Sequence, residues 1–318
     1  VYLEISENAK EKTEIELRKM VAYAYGNVLL SEENLKIVNS NIKLLEKNVQ
    51  DLTKVYENGL VEQESVQQIQ LTLASLKSNQ SYVKRLKKIA YQMFNNALGL
   101  DLDAAVELTD SLNQLIAMYT SLTPLESILE VENVVDYKIA FNDLKGKELL
   151  LKLEKSKALP TLDVFLNGGY SGNSETFTFL DNSQDWFGSS LFGVSMDIPI
   201  FSSLGRSAST KKARLNFEKS KSLLKETSEK IKLEISRARS DYEFAVEDLD
   251  IKKEALELSG KIAQKNEIKF FEGLTTSFDL SQAQRQLYTA QQDYLQSMLN
   301  ILIKRIDLEA LINPPLKN

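Results

Sequence analysis

Tyr56-Glu57-Asn58-Gly59-Leu60 is answered, 214 residues later, by Phe270-Phe271-Glu272-Gly273-Leu274. Each stretch has an aromatic residue followed three positions on by Gly-Leu. Carried outward without a gap, the offset keeps matching apolar positions. Val21, Val28, Leu35, Ile42, Val49 and Tyr56 step by seven through the first copy, and Ile235, Tyr242, Leu249, Leu256, Ala263 and Phe270 through the second. A second row lies four residues earlier. Leu17, Ala24, Val38, Leu45 and Leu52 are answered by Ile231, Ala238 and Ala245, after which the second copy fades into Lys252 and Ser259. Two apolar rows at heptad spacing make a coiled-coil seam rather than one face of a globular helix, and two copies in register indicate a duplication.

Beyond each Gly-Leu the apolar pattern resumes. Val66, Ile69, Leu73, Leu76, Val83, Ala90, Phe94 and Ala97 follow the first; Leu280, Ala283, Leu287, Ala290, Tyr294, Ile301, Leu308 and Leu311 follow the second. Each copy therefore reads as a long helix, a tight turn at Gly59 or Gly273, and a long returning helix. Composition agrees, because a chain of 318 residues with only 5 Pro and 12 Gly has little turn material and must build few, long elements. No proline interrupts Arg206–Phe271, which predicts a rod of about 100 Å at 1.5 Å per residue.

Composition also removes function classes. With no Cys and no His the chain has no disulfide, no thiolate nucleophile, no imidazole base and no His or Cys metal ligand. A net charge of −6 argues against a basic nucleic-acid-binding surface. No stretch has the roughly 18 consecutive apolar residues of a membrane-crossing helix. The charged stretch VYLEISENAKEK at Val1–Lys12 does not read as a signal peptide.

Between the copies the period changes. Asp101 to Thr123 reads as an irregular segment closed by Pro124, and Leu125 to Ala158 as another amphipathic helix stopped before Pro160. Then Leu162, Val164 and Leu166 alternate with Asp163, Phe165 and Asn167. Phe192, Val194, Met196, Ile198 and Ile200 alternate with Leu191, Gly193, Ser195, Asp197 and Pro199. Strands of about ten residues with one apolar face fit an outer-membrane barrel and fit a soluble sandwich equally well. Tyr170, Phe177, Phe179, Trp186 and Phe187 in the connecting stretch are either hairpin contacts or an interfacial girdle.

Two duplicated helical hairpins with a strand pair inserted between them resemble the outer membrane efflux protein family of TolC-like channels. Ala158-Leu159-Pro160-Thr161-Leu162 resembles the start of a barrel strand. Asp197-Ile198-Pro199-Ile200-Phe201 with Gly205-Arg206 resembles the strand exit and the start of the descending helix. The two Gly-Leu turns resemble the periplasmic tips, and Ala97-Leu98-Gly99-Leu100 the end of the first ascending helix. One departure is plain: the family has a strand hairpin before each descending helix, and only the second is present. The chain is thus expected to be an N-terminally incomplete part of a longer precursor.

The resemblance implies a mainly α protein. Its duplicated antiparallel coiled-coil hairpins form an α-helical barrel, and a β-hairpin enters a trimeric transmembrane β-barrel. The expected segments are a first helical hairpin at 1–100, an irregular equatorial segment at 101–125 and a helix leading to the barrel at 126–159. The outer-membrane β-hairpin follows at 160–201, a second helical hairpin at 202–313 and a tail at 314–318. The implied function is a passive conduit, the outer-membrane subunit of a tripartite efflux or type I secretion system. It carries drugs, toxins or other solutes, works as a homotrimer with a periplasmic adaptor and an inner-membrane pump, and touches outer-membrane lipid but no nucleic acid. It has no catalytic residue, cofactor or metal. A periplasmic coiled-coil adaptor or scaffold without a pore is the alternative.

Three sets of residues follow from that resemblance. Gly59, Leu60, Gly273 and Leu274 would form adaptor-contact tips. Asp279 matches the first acidic position of a pore constriction and Gln282 the second, with Ser65 and Gln68 at the equivalent positions of the first copy. Asp279 read alone is equally well a carboxylate favoured at a helix start. Tyr170, Trp186 and Phe187 would stand at the membrane interface.

Overall fold

The computed structural model describes residues 2–121, 131–180, 182 and 184–312. Six α-helices and one strand pair occur among them: α1 (Tyr2–Glu57), α2 (Gln63–Ala97), α3 (Leu112–Ser121), α4 (Val135–Ser156), β1 (Thr161–Ser171), β2 (Phe187–Asp197), α5 (Gly205–Phe271) and α6 (Ser277–Ile312). The protein is mainly helical with one antiparallel β-hairpin, as the duplicated heptads lead one to expect. The chain divides into two compact units, residues 5–138 with 228–318 and residues 139–227 with 1–4.

In the larger unit the seam of α1 runs through Ala24, Val28, Ser31, Leu35, Val38, Ile42, Leu45, Val49 and Leu52, alternating steps of four and three. Val28, Val38, Leu45 and Leu52 are fully buried. In α5 the seam runs on through Ala245 and Leu249 to Ser259 and Ala263, all buried. The second row therefore does not stop where its hydrophobicity fades. Ser259 occupies the seam as a small residue, and Lys252, two turns earlier, reaches Asp293 at 3.6 Å. Leu112 and Ile116 of α3 join the buried cluster of Leu295, Met298, Leu299 and Leu302.

Polar residues are threaded along α1 as well. Asn41 donates to Gln291 at 2.7 Å, Asn48 to Glu267 at 2.7 Å, and Gln292 donates to Asn34 at 2.9 Å. A half-buried amide satisfied at one helical register is unsatisfied one turn away, so these pairs fix the register that apolar contacts alone would leave loose.

In the smaller unit all eleven residues of β1 pair with all eleven of β2, from Thr161 opposite Asp197 to Ser171 opposite Phe187. The strands reach further into the connecting stretch than the alternation suggests, shortening it to 172–186. At the other end the alternation overshoots: Ile198 and Ile200 lie outside β2, which stops at Asp197. Pro199 has no N–H to give the ladder and restricts the residue before it.

The expected equatorial segment contains α3, and α4 begins at Val135 after a 3₁₀ turn, Val131–Asn133. Residues 122–125 of that segment, 126–130 of the expected leading helix, and 313 with the tail 314–318 lie outside the described residues. No described helix is long and apolar enough to cross a membrane.

Candidate functional site

The two Gly-Leu turns are built alike. Gly59 has φ of 75° and Gly273 φ of 73°, and a Cβ is disfavoured in that left-handed region. Gly59 N donates to Tyr56 O at 2.8 Å and Leu60 N to Val55 O at 3.1 Å; Gly273 N donates to Phe270 O at 3.0 Å and Leu274 N to Lys269 O at 2.8 Å. These paired bonds are the Schellman ending of a helix. Leu98-Gly99-Leu100 ends α2 in the same way, with Gly99 at φ of 72°. In that motif the residue after the glycine commonly packs back on its helix, yet Leu60 is 74% exposed and Leu274 70%. Phe270 and Leu280 share one buried cluster with Leu52, Val66 and Ile69, so both turns lie at the same end of the larger unit.

The two returning helices start differently. Thr276 and Asp279 form a reciprocal capping box: Asp279 N donates to Thr276 Oγ1 at 3.1 Å, and Thr276 N donates to Asp279 Oδ2 at 3.2 Å. The Thr276 and Thr275 hydroxyls donate to the same carboxylate oxygen, at 2.6 and 2.9 Å. Those bonds, Thr276's hydroxyl first, hold the Asp279 carboxyl below its usual range. Thr-x-x-Asp at 276–279 was the sequence signal for this cap, which the heptad reading passed over. Glu62, at the start of α2, makes no side-chain cap. Ser65 donates its N–H to Glu62 O at 3.1 Å; Ser65 and Gln68 are half-buried and Gln282 is exposed.

Two further apolar stripes, on the flanks of α2 and α5, have no partner among the described residues. Tyr82, Leu86, Ile89 and Met93 lie exposed on α2 at steps of four, three and four; Phe244, Ile251 and Leu258 lie exposed on α5 at steps of seven. Stepping by seven from Phe244 would have found the second. The same rows inside the chain are covered. Leu30 and Ile37, 214 residues before Phe244 and Ile251, pack on the cluster of α6 that holds Leu295 and Leu299. Helices α1 and α6 also approach closely at Gly26, where a Cβ would stand 2.1 Å from a methyl of Leu302.

The β-hairpin has two chemically distinct faces. Leu162 opposes Met196, Val164 opposes Val194 and Leu166 opposes Phe192 on one face. On the other, Asp163 opposes Ser195, Phe165 opposes Gly193 and Asn167 opposes Leu191. The Phe165 ring lies across Gly193, filling the place of its missing side chain. Among the described residues the sheet has two strands, so each carries an unpaired edge. Toward the loop the Tyr170 ring covers Gly188, and Trp186 meets Phe179 edge-on at 5.4 Å. Phe187 is exposed opposite Ser171.

No group of His, Cys, Asp or Glu among the described residues could hold a metal ion. The outer membrane efflux protein family matches residues 150–314, more than half of the chain and the segment that holds the hairpin, the second Gly-Leu turn and the capping box. The chain belongs to the outer membrane efflux protein family. No curated protein matches its sequence. Solved structures share the fold at low identity. The outer membrane protein VceC of Vibrio cholerae gives a TM-score of 0.78 at 15% identity, covering 98% of this chain and 72% of VceC. The MtrE outer membrane channel of Neisseria gonorrhoeae gives 0.77 at 16%, over 98% and 69%. The Campylobacter jejuni CmeC outer membrane channel gives 0.74 at 14%, over 97% and 65%.

This efflux protein is thus a transport protein of the Gram-negative outer membrane and the periplasm beneath it, and not an enzyme. Its fold is the TolC-like channel fold. Channels of the family are trimeric and work with adaptor and pump partners.

Proposed function

We propose that three copies of this efflux protein close into a passive conduit through which solutes leave the periplasm, handed over by an adaptor and a pump of a tripartite efflux or type I secretion system. The observation that carries this is the unused half of an internal contact. Within the chain, α1 of the first repeat packs on α6 of the second. The offset of 214 turns that contact into one between α5 and α2, and those helices bear the uncovered stripes. Such a surface is heterologous, so repetition either closes a ring or grows a fibre. Shifting the observed pairing of Asn34 with Gln292 by the offset brings Phe244 of one copy near Tyr82 and Leu86 of the next. Chemistry supports the pairing: Glu247, Asp248 and Asp250 on α5 would face Lys84 and Arg85 on α2 of the next copy.

The hairpin fits the same assembly. Alone it leaves two open edges, which lipid does not tolerate; strands from neighbouring copies would pair them. Its Leu162–Met196 face would meet lipid and its Asp163–Ser195 face the water-filled axis. Tyr170, Trp186 and Phe187 would lie at the outer interface. The segments at 1–100 and 202–313 would then serve as periplasmic hairpins and 160–201 as the outer-membrane segment.

At the Gly-Leu turns, exposed Leu60 and Leu274 would meet the adaptor. Asp279, with Gln282, Ser65 and Gln68 near it, would line the narrowest part of the pore. The test is export in cells that lack their own channel and express the full-length protein. Leu60→Ser with Leu274→Ser should abolish export and leave the amount of trimer unchanged. Export that persists would make the tips mere turns.

A further inference from the structure

We propose that the junction between β2 and α5 is a membrane-surface collar that holds anionic phospholipid in the leaflet facing the periplasm. Ile200, Phe201 and Leu204 would sit at the acyl boundary, and Lys211, Lys212 and Arg214 on the headgroup phosphates. The proposal rests on reading the hairpin as membrane-spanning.

The first observation is charge. Between Arg206 and Lys225 stand seven cations and one carboxylate, Glu218, in a chain whose net charge is −6. On α4 and just past its end most cations are neutralised: Lys145 pairs with Glu4 at 2.9 Å, Lys152 with Glu148 at 2.7 Å and Lys157 with Glu154 at 2.6 Å, with exposed Lys155 the exception. Lys211, Lys212 and Arg214 are exposed and make no ion pair among the described residues. Lys211 and Arg214, three apart, share a flank of the helix, and like charges at that spacing repel. A cationic flank left uncompensated by its own chain is complementary to an external anion.

The second observation is apolar exposure beside that charge. Ile200 is 91% exposed, Phe201 84% and Leu204 78%, all in the seven residues joining β2 to α5. Ser203 and Leu204 both adopt positive φ, 48° and 66°, and Gly205 N donates to Ser202 O at 2.9 Å, so the turn is closed with Leu204 outside it. Arg206 donates to Pro199 O at 2.9 Å and fastens the helix start to the strand exit. Apolar side chains next to lysine and arginine form the amphipathic pattern of a membrane surface.

Distance decides which cations take part. The pair Thr161–Asp197 marks the base of the hairpin, and α5 begins eight residues beyond it. At 1.5 Å per residue, Lys211 and Arg214 lie about 9 and 14 Å below Gly205. A headgroup layer is about 5–7 Å deep, and flexible basic side chains reach upward to it. Lys219, Lys221 and Lys225 lie about 20–30 Å down, beyond a screening length of about 8 Å. The lower cations thus provide a control of equal charge.

The test uses the full-length trimer reconstituted in phosphatidylethanolamine vesicles containing phosphatidylglycerol, then extracted gently, with retained lipid measured by mass spectrometry. The wild type should retain phosphatidylglycerol over phosphatidylethanolamine by about tenfold or more. Lys211→Gln, Lys212→Gln and Arg214→Gln together should erase that preference and keep the trimer. Lys219→Gln, Lys221→Gln and Lys225→Gln together should leave it intact. An unchanged preference in the upper triple variant, or an equal loss in the lower one, overturns the collar. So does Ile200→Ser with Phe201→Ser if it dissolves the trimer without altering lipid retention, for the apolar cluster would then belong to a second copy. Protein washed off vesicles of every composition would remove the hairpin from the bilayer, a separate failure visible already in the wild type.

Discussion

At equivalent places in the two repeats, α1 carries Val38, Leu45 and Leu52 where α5 carries Lys252, Ser259 and Asn266. The first set is fully buried against the neighbouring helices; in the second only Ser259 is buried, and Lys252 reaches out to Asp293. On the adjoining flank the contrast runs the other way. Leu30 and Ile37 of α1 are covered by the chain itself, whereas Phe244 and Ile251 of α5 are bare. The duplication preserved one apolar row and the turns, while α5 gave up bulk inside the protomer and kept it on an outer flank. The two repeats are thus alike in backbone and different in where their apolar surface is spent.

The largest effect expected from this difference comes from placing a charge in each version of the seam. Leu45→Asp would bury an unpaired carboxylate where no side-chain surface is accessible, at a cost of about 3–5 kcal/mol. Ser259→Asp replaces a small polar residue and should cost less than half of that. Thermal melting of the two variants in detergent checks the order. Equal losses would mean that both seams are packed alike and would remove the contrast.

Next comes the bare flank. Phe244→Glu should turn trimer into monomer while shifting the melting of the helical unit by less than about 1 kcal/mol, because Phe244 touches little within its own chain. Leu30→Glu, at the matching position of α1, should instead destabilise the protomer, since Leu30 packs on the α6 cluster. Light scattering and melting curves separate these outcomes. A trimer that survives Phe244→Glu would mean that the ring closes through another surface.

The same contrast explains what could be read in the residues. The seam was legible because Val28, Ile42, Leu249 and their neighbours recur every seven residues, and packing at that period leaves few other folds. The turns were legible because only glycine is at ease at the φ of Gly59 and Gly273. The strand end was misjudged because hydrophobic alternation continues through Ile198 and Ile200, while the ladder obeys the missing N–H of Pro199. The uncovered flanks escaped for a related reason: Phe244 and Tyr82 look like seam residues until one knows which seams the chain fills itself. Ser259 shows the converse, a buried seam position that hydrophobicity does not mark.

The smallest expected effect lies at the tips, where the repeats share a turn and differ in the cap that follows it. Asp279 is ionised and held by Thr276 and Thr275, while its counterpart Ser65 is neutral. Its lowered pKa fixes the pH window. The cap's contribution is fully present above the ordinary carboxyl value of about 3.9 and is lost as pH falls through the lowered value. If Asp279 also lines the pore, Asp279→Asn in the full-length protein should reduce cation selectivity in planar bilayers by the same factor at every pH from 5 to 8. That difference should close only below about pH 4. Selectivity that instead titrates near pH 6 would require carboxylates raised by mutual repulsion around the axis, which a side chain already occupied by three donors resists. Selectivity unchanged by the substitution at all pH values would confine Asp279 to starting α6, leaving the two tips electrically alike.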